Sequence, residues 1–446
     1  IFIFGFGTSY AQQRPNVIVI YSDDQGAIDL NCYGAKDLLT PNIDKFAASG
    51  TMFTQFYASP VCSPSRASLL TGLNPQRAGL PGNASETNGD VGLPNDRYTL
   101  AELFKSVGYN TAHIGKWHLG YKTEMRPNAQ GFDYSFGHMV GCIDNYSHYF
   151  YWNGPNKHDL YRNGKEVFYP GQYFPDLMVK EAGEFMEKSQ HSPFFMYFAI
   201  NMPHYPYQGD PKWLEYYNNK GVTYPRNLYA AFMTTLDDKI GDLLQKVNTL
   251  GLTNNTIIIF QSDNGYSTEE RAHFGGGSAG IYRGAKASLF EGGIRVPFIA
   301  RWPGKIKANT STDQLSIQYD IMPTLAEITG KPVAKIDGVS LLPTFLGKSL
   351  SQTQHEFIYF EYPENGGQIA VRFGKWKGVQ MNVRKEPNGP WELYDMELDR
   401  FEKNNIASSF PDMIKKMKEI AKKQHQHPQV LDWEFIDPKI KKPITN

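Results

Sequence analysis

Asn16-Val-Ile-Val-Ile-Tyr21, continued without a break by Ser22-Asp23-Asp24-Gln25-Gly26, is the stretch whose reading decides the fold. Its apolar, β-branched residues do not alternate with polar ones. Such a run predicts a strand covered on both faces, as in a parallel sheet. Two adjacent carboxylates at the end of a buried strand repel one another, so they need solvent or a cation. Carboxylate oxygens are hard ligands and suit calcium or magnesium. Taken alone, the pair also fits a solvated Asp-Asp turn.

Three further apolar runs repeat the arrangement. Tyr109 to Ile114 leads into Gly115-Lys116-Trp117-His118, Pro193 to Ile200 into Asn201-Met202-Pro203-His204, and Thr256 to Gln261 into Ser262-Asp263-Asn264-Gly265. Helical patterns at 41–49, 100–107 and 228–250 lie between the runs. A lone Lys, His or Asp in a loop is ordinarily just solvated. Four strands that all place polar residues past their carboxyl ends point instead to one ligand-binding edge of an open α/β sheet. The fold expected is therefore α/β, a large mixed, mostly parallel sheet sandwiched by helices. Beyond Pro343 the pattern changes. Phe357 to Tyr362, Ile369 to Phe373, Lys375 to Val379 and Trp391 to Asp395 read as short antiparallel strands, and 411–423 as a lysine-rich amphipathic helix. Residues 351–446 are thus expected to form a smaller C-terminal α+β domain with an antiparallel sheet, after a catalytic domain over 12–350.

Pro60-Val-Cys62-Ser-Pro64-Ser-Arg66-Ala-Ser-Leu-Leu70-Thr-Gly72 joins a cysteine, an arginine and a helix start. Pro64 suits a first helical turn, where its missing N–H costs nothing, and Thr71-Gly72 ends the helix. Cys62 then sits at the donor-rich positive end, which attracts anions. A small buried cysteine ahead of a core helix is the plainer reading. The pattern Cys-x-Pro-Ser-Arg-x-x-x-Leu-Thr-Gly over 62–72, however, resembles the signature of the formylglycine-dependent sulfatases, arylsulfatase-like enzymes of the alkaline phosphatase superfamily. Lys286 ahead of Glu291-Gly-Gly resembles a second motif of that family.

The resemblance implies an alkaline phosphatase-like fold and a bacterial polysaccharide or glycan sulfatase, a sulfuric ester hydrolase acting on a sulfated carbohydrate. It implies that Cys62 is oxidised to formylglycine by a formylglycine-generating or anaerobic sulfatase-maturating enzyme. By the same likeness Asp23, Asp24, Asp263, Asn264 and the residue made from Cys62 hold one calcium ion, with magnesium the second choice. Arg66 would stabilise the nucleophile, Lys116 and Lys286 would grip sulfate, His118 would serve aldehyde regeneration, and His204 would serve the leaving group. The competing readings are a phosphate mono- or diesterase of the same superfamily, in which Ser or Thr normally replaces the cysteine, and a non-catalytic glycan-binding homologue.

With 446 residues, 41% of them hydrophobic, the chain can bury a sizeable core. Its formal net charge is zero, which gives no reason to expect nucleic acid or an anionic membrane as partner, so any anion binding must be local. The run Ile1 to Ala11 is too short to span a bilayer and ends in Ser9-Tyr10-Ala11. It reads as the apolar end of a signal peptide, with a periplasmic or secreted product and no membrane span. Three cysteines do not make a disulfide scaffold, and Cys32 and Cys142 either pair or stay free. The aromatic-rich insertion 141–167 and the loop around Arg271 and His273 are expected to line a substrate pocket, with Trp152 or a neighbouring tyrosine beside a sugar ring.

Overall fold

The computed structural model describes residues 14–85, 90–150 and 156–437. The segment read as a signal peptide and Trp152 lie outside them. The central strand β1 (Asn16–Ser22) is buried at every position. Around it the sheet is built from β2 (Thr51–Phe53), β3 (Asn110–Lys116), β4 (Tyr134–His138), β5 (Tyr161–Arg162), β6 (Lys165–Glu166), β7 (Phe194–Ala199), β8 (Thr256–Ser262), β9 (Phe298–Arg301) and β10 (Thr310–Thr312). Their order is β10-β2-β9-β8-β1-β7-β3-β4-β5-β6. The five strands from β8 to β4 run parallel, while β9 pairs antiparallel with β8 and with β2. All four strands expected to carry polar residues at their carboxyl ends are therefore adjacent and co-directional.

The unbroken apolar character of β1 has a direct cause. Val17, Val19 and Tyr21 pack into a layer with α2 (Cys62–Thr71), α3 (Leu100–Ser106) and α6 (Ile321–Thr329), whereas Ile18 and Ile20 pack into the opposite layer with α1 (Pro41–Ala48), α4 (Phe174–Lys188) and α5 (Arg226–Thr249). Neither face of β1 meets water, so neither can be polar. Strand β9 starts at Phe298, and two residues earlier Val296 donates its N–H to the Phe56 carbonyl, outside the ladder.

The C-terminal strands β11 (Ile358–Tyr362), β12 (Gln368–Phe373), β13 (Trp376–Gln380) and β14 (Trp391–Asp395) form an antiparallel sheet in sequence order. On one face it carries α7 (Pro411–Gln424), which buries Met417 and Ala421. The other face packs Ile358, Phe360 and Val379 against Tyr57, Val61 and Leu289 of the large body. Cys32 and Cys142 are both free thiols. Among the described residues no helix is long and apolar enough to cross a membrane.

A buried ion cluster ties the two sheets together. Lys377 on β13 lies 2.9 Å from Glu291 and 2.7 Å from Glu402, and Arg295 lies 2.9 Å from the other oxygen of Glu291. Removing one member of a fully desolvated cluster leaves its partners charged in a medium that cannot solvate them. Lys377→Met is accordingly expected to lower the unfolding free energy by about 3–5 kcal/mol in urea titration; a loss below about 1 kcal/mol would show that the cluster is not a stabilising tie.

Candidate active site

Helix α2 begins where the sequence places it. Val61 is its extended N-cap, Cys62 its first residue, and Pro64 falls in the first turn. Gly72 ends it at φ +69°, donating its N–H to Ser68 at 3.0 Å. A side chain at this glycine would be strained by the backbone and would also press on Met322, 3.0 Å from where its Cβ would stand. All ten residues of α2 are buried, so its N-terminus lies inside the protein and not on the surface.

The strand ends are stitched together by backbone hydrogen bonds: Asp263 N–H donates to Ser22 at 3.0 Å and Asp23 N–H to Met202 at 2.9 Å. Asp24, in the left-handed region at φ +59°, donates its N–H to the Asp263 carboxylate at 3.0 Å. Arg66, fully buried, reaches Asp263 at 2.8 Å and Asp23 at 3.3 Å, and donates to the Lys116 carbonyl at 3.1 Å. Lys116 Nζ lies 2.8 Å from both oxygens of Asp23 and 3.3 Å from Cys62 Sγ. Lys286 Nζ lies 2.8 Å from Asp24 and 3.3 Å from Glu269. His204 Nε2 is 3.5 Å from both Asp24 and Lys286.

Three buried carboxylates therefore face two buried cations, Arg66 and Lys116, and a third, Lys286, that reaches the cavity, around one cysteine. Burial alone would raise the Asp23 carboxyl, but Lys116, His204 and Arg66 outweigh it and hold it well below the usual range. Asp263 moves the other way, raised by burial and by the charge of Asp23. Burial pushes the Cys62 thiol well up, despite Lys116, so an unmodified cysteine here is a protonated and weak nucleophile. Burial, followed by Lys116 and Arg66, drives His118 well down, and Gly141 leaves room for its ring, since a Cβ there would stand 3.0 Å from it. Burial also lowers His204, partly opposed by Asp24 and Asp23.

The donor set fits a hard divalent cation. Ligand atoms of Asp23, Asp24, Asp263 and Cys62 all lie within 4.8 Å of one another. Asn264 donates its amide to Asp24 at 2.7 Å and to the Gly265 carbonyl at 2.9 Å, which leaves its buried Oδ1 without a partner among the described residues. An orphaned carbonyl oxygen beside three carboxylates is what an oxygen-seeking cation would satisfy.

Above this floor opens a cavity of about 960 Å³, which Cys62, His118, His204 and Lys286 line at its base. Its walls include Cys142, Phe150 and Lys157 from the insertion, together with Arg271. His273 does not line it; its ring bonds the Tyr224 hydroxyl at 2.7 Å. Three contributors are not marked in the sequence: Glu269, which anchors Lys286, and the C-terminal wall residues Tyr362 and Glu364. No local pattern marks them, because they act through chain segments brought close only by folding.

An α/β sheet whose carboxyl edge assembles acid, lysine, arginine and histidine side chains around a single nucleophile position defines a hydrolase of anionic esters. Comparison with known proteins specifies which kind. Residues 15–331 match the sulfatase family model, and residues 279–428 match the model named N-sulphoglucosamine sulphohydrolase, C-terminal. The chain is 31% identical to an N-acetylgalactosamine-6-O-sulfatase of Bacteroides thetaiotaomicron, over 92% of each chain. It is 36% identical to human N-acetylgalactosamine-6-sulfatase over 85% of this chain and 76% of that one. Among solved structures, Ps i-CgsB in complex with k-i-k-neocarrahexaose superposes with a TM-score of 0.84 at 30% identity, covering 95% of this chain and 94% of the other. The chain belongs to the sulfatase family and is a sulfuric ester hydrolase.

Because only the folded state presents the assembled oxygen ligands, a divalent cation should stabilise the fold by mass action. Calcium chloride added to chelator-treated protein at about a hundred times its Kd is expected to raise stability by about 2.7 kcal/mol, read as a higher Tm. Asp263→Asn should abolish the rise. An equal rise in both proteins would place the cation elsewhere.

Proposed function

We propose that this chain hydrolyses sulfate esters carried by a carbohydrate, using formylglycine made from Cys62 and a calcium ion held by Asp23, Asp24, Asp263 and Asn264. The observation that carries the reading is the position of Cys62 Sγ at the cavity floor, 3.3 Å from Lys116 Nζ and 3.6 Å from an Asp23 oxygen. A thiol there suits neither neighbour. Sulfur is a soft ligand and calcium a hard one, and burial keeps the thiol protonated. Oxidation to an aldehyde, present as its hydrate, exchanges the sulfur for oxygen and removes both conflicts. The same hydrate supplies one hydroxyl to attack sulfur and a second whose ionisation expels sulfate afterwards.

Charge counting supports an anionic ester as substrate. The three carboxylates and three cations of the floor cancel, so a divalent ion leaves the floor with two positive charges, one of them offset at the rim by Glu269 beside Lys286. A sulfate monoester and an oxyanion nucleophile carry one negative charge each. Lys116, 3.3 Å from Cys62, and Lys286 on the cavity would hold sulfate oxygens, while Arg66, forked between Asp23 and Asp263, would keep the carboxylates from turning away. Calcium is preferred over magnesium because a ligand set drawn from several carboxylates and an amide matches its adaptable oxygen shell.

His204 is placed to give a proton to the leaving oxygen. Its Nδ1 lies 2.7 Å from the Tyr205 carbonyl, which can only accept, so Nδ1 carries a hydrogen and Nε2 faces the floor. Nε2 can donate only when the ring is an imidazolium. Burial disfavours that form in the free protein, and the negative charge of a bound sulfate restores it. His118, with its buried Nδ1 unpartnered among the described residues, is suited to take the proton when the aldehyde is regenerated.

Sugar recognition is assigned to the cavity walls, with Arg271 and Lys157 as charged groups toward a polyanionic chain. The names of the relatives, N-acetylgalactosamine-6-sulfatases among them, support a carbohydrate substrate. The same proposal includes export, resting on the apolar run before Gln12, and a dedicated maturation enzyme that acts on the Cys62 motif.

The test is release of inorganic sulfate from a panel of defined sulfated oligosaccharides, with an aryl sulfate alongside. Sugar alkoxides are poor leaving groups, so His204→Ala should depress turnover of a sulfated sugar roughly a hundredfold more than that of the aryl sulfate. Equal losses would reassign His204 to sulfate binding. Absence of sulfate release from every sugar, with the aryl sulfate turned over, would sink the carbohydrate reading.

A further inference from the structure

Away from the active site, one other group of side chains among the described residues brings metal-ligating atoms within 4.8 Å of one another: His425, His427 and Glu434. His425 follows the last turn of α7, and Glu434 follows the short turn Leu431–Trp433. We infer that these three residues form a second metal site, for a borderline-soft divalent cation of the zinc type, which staples the C-terminal segment to the small sheet and to one wall of the active-site cavity.

Hydrogen bonds from outside the cluster hold His425 and Glu434, while His427 bonds within it, Nδ1 to Glu434 Oε2. Glu434 Oε1 accepts the backbone N–H groups of Ile436 at 2.9 Å and Asp437 at 2.8 Å. Its other oxygen, Oε2, lies 3.3 Å from His425 Nε2 and 2.8 Å from His427 Nδ1. Glu361 on β11 is 3.0 Å from His425 Nδ1, and itself accepts from the Tyr359 hydroxyl at 2.6 Å. A carboxylate behind one ring nitrogen holds the proton there and turns the lone pair of the other nitrogen outward, as behind metal-binding histidines generally. His425 is 9% exposed, yet its Nε2 makes no hydrogen bond among the described residues. The two imidazole rings stand at 88° with centroids 5.2 Å apart, so they do not stack.

The ligand set chooses the cation. Two imidazole nitrogens and one carboxylate oxygen suit zinc, and differ from the all-oxygen set at the active site. His427 is 34% exposed, which leaves a fourth position open to water. Two neutral imidazoles, two carboxylates and one divalent ion sum to zero. Without the ion, Glu361 and Glu434 leave the cluster a negative field that a divalent cation would neutralise.

The staple has a structural reach. Trp433, one residue before Glu434, packs against Gly82, where an added Cβ would come within 2.5 Å of the indole. Gly82 directly precedes Asn83 and Ala84, which line the active-site cavity. Tethering the 425–434 loop therefore fixes a ring that braces the wall beside Cys62.

The test uses the full-length protein, freed of metal by chelation and then held in saturating calcium so that the active site does not compete. Zinc chloride is titrated in and bound zinc is measured by elemental analysis after gel filtration, with thermal melting in parallel. One zinc per chain with a raised Tm is expected. His427→Ala, which changes a partly exposed ligand, should abolish both effects. Glu361→Gln, which keeps all three ligands and alters only the group behind His425, should weaken zinc binding about ten- to a hundredfold. Equal zinc retention by wild type and His427→Ala, or none by wild type, would overturn the site and leave His425 a protonated ion-pair residue. Neither outcome bears on the sulfatase chemistry, which is read separately with calcium.

Discussion

Three carboxylates and three basic side chains share one closely packed floor at the base of the cavity, and each depends on the others for its charge. Asp23, Asp24 and Asp263 come from the ends of adjacent parallel strands, while Arg66, Lys116 and Lys286 come from a helix, a third strand end and a distant loop. Moving any one of them into a medium of low polarity alone would be costly. The fold satisfies the constraint by making β8, β1, β7 and β3 neighbours, so that their loops converge over a few ångströms. The apolar layers on both faces of the sheet lower the polarity around the buried members of the cluster, which makes the electrostatic interactions among them stronger and every mismatch more expensive.

The buried start of α2 gives this cluster its chemical direction. A helix whose ten residues are all inside the protein presents its free N–H groups and positive dipole end to an enclosed space, where an anion gains most. Cys62 occupies that end. The environment raises its thiol pKa, so the site is unfavourable to ordinary cysteine nucleophilicity and favourable to an oxygen nucleophile at the same position. The proposed conversion of Cys62 would resolve that mismatch.

Much of this was legible in the chain. Asn16 to Tyr21 forecast a two-face-buried strand because its hydrophobicity does not alternate, and the repetition of polar residues after three further runs forecast the shared edge. Pro64 and Gly72 marked both ends of α2. The antiparallel C-terminal sheet followed from alternation and turn spacing. What the sequence did not reveal depends on contacts between remote segments. Glu269 meets Lys286 across seventeen residues of irregular chain, Tyr362 and Glu364 reach the cavity from the second sheet, and the His425 cluster draws on Glu361 sixty-four residues away. The loop around Arg271 and His273 was read as one unit, yet only Arg271 lines the cavity, since the backbone turn at His273, φ +54°, accompanies a ring bonded to Tyr224.

The central claim is that the reacting group at position 62 is an oxygen nucleophile made from cysteine. Peptide mass spectrometry of protein selected for sulfate-releasing activity tests it most directly. The peptide spanning Cys62 is expected to carry the aldehyde or its hydrate, in a fraction that rises in proportion to specific activity across preparations. Fully active protein in which that peptide contains only unmodified cysteine would contradict the account.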